Sequence, residues 1–102
     1  MENVKHDATS LEEHLEKTYD AKDRMMRNFH HRHLPPRLRH ISAMFTDIAR
    51  QMVDEIPASA ERTAGLRKLL EAKDCLVRAR VQADEDAARD AQIDNPILAT
   101  KA

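Results

Sequence analysis

At 102 residues the chain is long enough for one small domain and no more. Its formal charge of -1, from 17 basic and 18 acidic residues, excludes the strongly basic balance of a general nucleic-acid binder, so any anion site must be local. Tyr19, Phe29 and Phe45 are its only aromatic residues and Trp is absent, so the expected core is aliphatic and thin.

Residues 1–8 are polar and read as a flexible N-terminal tail. Thr9 and Ser10 then precede Leu11, and Glu12 and Glu13 each follow a hydroxyl by three residues, a doubled capping box. A first amphipathic helix is expected over 9–30, with Leu11, Leu15, Tyr19, Met25, Met26 and Phe29 on one side. Residues 31–36 form a His/Pro linker, because Pro35 and Pro36 end a helix and bias the residue before each towards extended backbone. His30, His31 and His33 lie close enough together to invite a metal. No second ligand pair stands at helical spacing, and the single Cys75 lies in another helix, so no metal or other cofactor is expected.

From Arg37 to Ile56, Leu38, Ile41, Phe45, Ile48, Met52 and Ile56 recur at spacings of three and four and predict an amphipathic helix about 30 Å long. Pro57-Ala58-Ser59 then turns the chain, with Ser59 able to cap the next helix and Glu61 placed where the helix dipole favours an anion. So short a connection folds the two helices back antiparallel, and a helical hairpin is expected over 37–88. Along the second of these helices Leu66, Leu69, Leu70, Leu76, Val77 and Val81 belong to an apolar arc of roughly 200° at about 100° per residue, wider than one neighbour can cover. The expected architecture is therefore all-α: an antiparallel hairpin and an additional N-terminal helix, assembling into an oligomeric helical bundle. Residues 89–102 read as a flexible C-terminal tail, with Asn95-Pro96 as a stop.

Charges on the second hairpin helix fall into two sets. Arg67, Glu71, Asp74 and Arg78 occupy the face opposite the arc at spacings that suit surface ion pairs. Arg62, Lys73 and Arg80 instead project near the centre of the apolar arc, where an unpaired charge is costly to bury, so an anion is expected to meet them. Snorkelling of Arg62 and Arg80 past apolar stems, or a pairing of Lys73 with Asp47 or Asp54, is the plainer reading of the same pattern.

Enzyme signatures are missing. Gly65 is the only glycine, so there is no phosphate-cradling loop, and neither a nucleophile elbow nor a zinc-protease or Cys-x-x-Cys motif occurs. A non-enzymatic protein is expected. One cysteine offers no disulfide framework, no apolar run approaches the roughly 20 residues of a membrane span, and the N-terminus has no signal-peptide core. A soluble, cytoplasmic location with no membrane and no DNA partner is the expectation.

One ordered pattern covers about half the chain. Phe29, the His-rich step, Pro35-Pro36, the amphipathic helix, Ile56-Pro57-x-Ser59-x-Glu61-Arg62, Leu66-x-x-Leu69-Leu70-Glu71-Ala72-Lys73-Asp74 and Val77-Arg78-Ala79 follow in that sequence. This pattern resembles a helical-hairpin domain of small phage proteins that includes the anti-CBASS protein of the second type and the Thoeris anti-defence protein of the first type. The resemblance implies a cyclic-nucleotide sponge: a homo-oligomer, commonly a hexamer, that sequesters cyclic di- or trinucleotide signals of bacterial immunity between its protomers. Arg62, Lys73 and Arg80 are then the expected phosphate ligands, since guanidinium and ammonium groups recognise phosphate. Phe29, His31 and His33 are the expected partners for stacking on bases. The alternative is an oligomerising hairpin that binds protein and no nucleotide.

Overall fold

The structure, a computed structural model, describes residues 4–93, with side chains over 10–92. Its elements are α1 (Val4–Lys22), a 3-10 helix (Arg24–Phe29), α2 (Pro36–Glu55) and α3 (Ala60–Ile93). All regular structure among the described residues is helical, and no described helix is long and apolar enough to cross a membrane.

The first helix departs from its expected bounds at both ends. It already includes Val4–Ala8, placed by the sequence reading in a tail, and Thr9 and Ser10 lie within it rather than capping it. No Gly or Pro interrupts Val4–Lys22, so nothing forces a start at the hydroxyl pair. The helix stops at Lys22 and not near residue 30, because Asp23 is extended (φ -160°, ψ 126°) and caps a new element. Its carboxylate accepts from the Met25 N–H at 2.9 Å. This break turns Met26 and Phe29 into the molecule, where they are 2% and 0% exposed.

Pro36 opens α2 at the first helical position, where its missing N–H costs nothing. Ser59 caps α3 as its sequence suggests, its hydroxyl accepting from the Arg62 N–H at 3.0 Å. Between them lie only residues 56–59. Late α2 meets early α3, where Arg62 donates to the Val53 carbonyl at 3.3 Å, while early α2 meets late α3 through Arg37 and Asp84 at 2.8 Å. The third helix extends to Ile93, beyond the boundary expected at 88; residues 94–102, with Asn95-Pro96, lie outside the described residues.

Met26, Phe29, Ala49, Val53 and Leu66 form the core, flanked by Tyr19, Met25, Phe45, Met52, Leu69 and Leu70. A small core suits so few aromatics, each large side chain contributing about 1.5–3 kcal/mol when fully buried. On α2 the buried positions are Ser42, Thr46, Ala49 and Val53, not the predicted large stripe. Small residues let the 3-10 helix approach closely, and Thr46 donates to the Phe29 carbonyl at 2.6 Å. Of that large stripe, Phe45 and Met52 pack against the core, while Ile41, Phe45 and Ile48 line, with Met44 and with Leu76 and Ala79 of α3, an open apolar groove of about 470 Å³. Met44, Ile48 and Leu76 are 47%, 45% and 50% exposed there.

Polar contacts tie α1 to the rest. Glu12 accepts from Arg50 at 2.7 Å, Glu16 takes two bonds at 3.0 Å from Arg32, and Asp54 accepts from Lys22 at 2.8 Å and from the Tyr19 hydroxyl. Leu11, expected on the packed side, is 60% exposed.

Candidate functional site

The six residues singled out by sequence do not form one cluster. Arg62, in the first turn of α3, is 8% exposed and its charge is met within the chain. Its guanidinium donates to the carbonyls of Val53 and Ile56 and to the Asp23 carboxylate at 2.9 Å. The expected anion is therefore Asp23. Arg80 is partly exposed and pairs with Asp84 one turn on at 3.0 Å, an oxygen it shares with Arg37. Phe29 is the largest fully buried side chain of the core, its ring enclosed rather than offered to a base. His31 is tucked beneath α1, its Nδ1 3.1 Å from the Thr46 hydroxyl and 3.3 Å from the Phe29 carbonyl, with Nε2 4.0 Å from Glu12.

Lys73 and His33 do come together. They line a cleft of about 350 Å³ bounded by the 3-10 helix, the loop after it, α2 and α3. From the 3-10 helix come Arg27 and Asn28, from the loop His30, His33 and Leu34, from α2 Ser42, and from α3 Lys73, Asp74, Val77 and Arg78. Three permanent cations stand against one carboxylate, leaving two net positive charges before either histidine is protonated. This local excess of positive charge favours anions in the cleft despite the near-neutral balance of the whole chain.

The ammonium of Lys73 is held in place. It donates to the Asn28 carbonyl at 2.9 Å, lies 3.5 Å from the Asp74 carboxylate and sits 5.9 Å from the centre of the Phe29 ring. A carbonyl and a ring face offset the cost of its burial and leave other ammonium protons free for a ligand. His30 is oriented by Asp20, whose two oxygens each lie 3.1 Å from Nε2. Arg78 makes only a 3.4 Å contact with the Cys75 sulfur, and neither Arg27 nor His33 forms an ion pair among the described residues. Such a set can hold a phosphate by charge and hydrogen bonds. No group of three metal ligands occurs among the described residues.

Arg27, His30, Ser42 and Arg78 were not expected at a site. Arg78 belongs to the balanced face of α3 in sequence, and Arg27 reaches the cleft only because Asp23 breaks the first helix. No spacing rule carries that information. The chain matches no protein-family model, no curated protein and no solved structure.

Proposed function

We propose that the protein is a non-enzymatic binder that sequesters a cyclic oligonucleotide, or a related cyclic nucleotide, used as a second messenger in bacterial anti-phage defence. The observation that carries this reading is the cationic cleft, which brings Lys73 and His33 together with Arg27, His30 and Arg78. A phosphate has the charge for Lys73, Arg27 and Arg78, and a base has a flat face for His33 or a guanidinium. In this reading α2 and α3 are an antiparallel hairpin, and the groove along Ile41, Met44, Ile48 and Leu76 is where copies of the chain assemble. The protein would be phage-encoded and act in the cytoplasm of the infected cell.

Isothermal titration with cyclic di- and trinucleotides and cyclic ADP-ribose isomers tests it. Saturable binding to one class, with intact ligand released on denaturation, is the expected result; turnover of the ligand, or no heat from any of them, overturns it.

A second reading, an assembling hairpin without a nucleotide, draws on Arg62, whose charge is already met inside the chain. Lys73→Ala separates the two. It abolishes ligand binding and spares assembly under the first, because Lys73 lines the cleft and not the groove; under the second it leaves no binding to lose and changes only stability or assembly.

A further inference from the structure

Ser42 is 0% exposed, and its hydroxyl oxygen has no hydrogen-bond partner among the described residues. That is unusual for a serine within a helix, which commonly returns its proton to the carbonyl one turn back. A buried hydroxyl without a partner costs stability, and alanine at the same place would not. The residue is one of those that line the cationic cleft, as is Lys73.

From this placement we infer that Ser42 is a ligand-binding residue: its hydroxyl donates to a phosphate oxygen of the ligand whose charge is met by Lys73, so the cleft is a phosphate site with a neutral donor in its lining. The inference rests on the nucleotide reading for the identity of the whole ligand, but the phosphate chemistry stands apart from it. Lys73 Nζ carries one bond to Asn28 and a long contact to Asp74, so it can turn to a phosphate oxygen without losing its carbonyl.

The test is Ser42→Ala in the full chain, with thermal unfolding and two sets of titrations. One set uses the cyclic nucleotides named above; the other uses inorganic pyrophosphate, followed by phosphorus NMR, with adenosine as a ligand that lacks phosphate. Loss of one donor to a charged oxygen should weaken phosphate binding by about tenfold or more, while the unliganded melting temperature holds or rises. Pyrophosphate should bind wild type measurably better than Ser42→Ala, and adenosine should not distinguish them. Equal affinity of wild type and Ser42→Ala, a lower melting temperature in Ser42→Ala, or no pyrophosphate binding to wild type overturns the inference. Pyrophosphate binding that depends on Ser42, with no response to any cyclic nucleotide, upholds the phosphate site and overturns the sponge.

Discussion

Asp23 serves Arg62 and Met25 at once: one carboxylate oxygen lies 2.9 Å from the Arg62 guanidinium, and the other takes the Met25 N–H at 2.9 Å. The group that ends α1 is therefore the group that neutralises the buried cation of α3. Their side chains are only 12% and 6% exposed. Asp23→Ala leaves a buried guanidinium with carbonyls alone and should cost about 3 kcal/mol or more in urea denaturation. Removing both charges, with Asp23→Ala and Arg62→Met together, should recover part of that loss. A single-variant loss below about 0.5 kcal/mol would mean that the pair is only a surface-strength contact.

The docking of α1 should fail in acid. Two bonds from Arg32 hold the Glu16 carboxyl below its ordinary 4.5, and Lys22, with the Tyr19 hydroxyl, holds Asp54 below its ordinary 3.8. Both folded values are depressed, so their contribution is complete above those ordinary values and is lost as pH falls through the folded ones. Tyr19, the only tyrosine, touches Asp54 and reports the change by its fluorescence. Between about pH 5 and pH 2 that signal should shift, and Glu16→Gln should already weaken α1 docking at neutral pH.

Phe29 separates a core role from a stacking role. At 0% exposure its truncation to Ala should cost about 3–5 kcal/mol, whereas Phe29→Leu should fold and retain ligand affinity. Weaker binding by a well-folded Phe29→Leu would return the ring to the site; thermal melts and titration of the same sample decide this.

How far these roles were legible in the sequence depends on the partner each one needs. All-helical structure and the Ser59 cap arise from neighbours in the chain and were readable, as was the start of α2 to within one residue, at Arg37 for Pro36. The break at Asp23 was not, since its carboxylate is engaged by Arg62, 39 residues away. Periodicity on α2 identified an apolar face, of which Phe45 and Met52 pack against the core while Ile41 and Ile48 line the groove with α3. The chain's own core takes Ser42, Thr46, Ala49 and Val53, because the 3-10 helix fits against small side chains. Ile48 and Met44 are left on the groove. Of the site residues, Lys73 stood out because a cation interrupted an apolar arc; Ser42, Arg27 and Arg78 carried no such contrast.

If copies of the chain assemble through the groove as proposed, Leu76→Asp, which places a charge there at a residue already 50% exposed, should leave the monomer folded and prevent self-association. Sedimentation equilibrium beside circular dichroism measures both. An unchanged oligomer would exclude the groove as the assembly face.

Gly65→Ala should stabilise the fold. The residue lies within α3, and a Cβ built there meets nothing within 4 Å. Relief of glycine's backbone entropy in a helix interior contributes about 0.5–1 kcal/mol, read as a higher melting temperature at unchanged oligomeric state.

The 34 residues of α3 outrun the 20 of α2, and beyond the Arg37–Asp84 pair every side chain from Glu85 to Gln92 is exposed. One i, i+3 pair, Arg89 with Asp86, is a surface contact of small worth. A stretch that short is marginal as a helix unless it is propagated from packed turns before it. Amide hydrogen exchange along α3 should therefore form a gradient, slow around Leu66 in the core and fast past Asp84, so that the far end opens and closes without the domain unfolding.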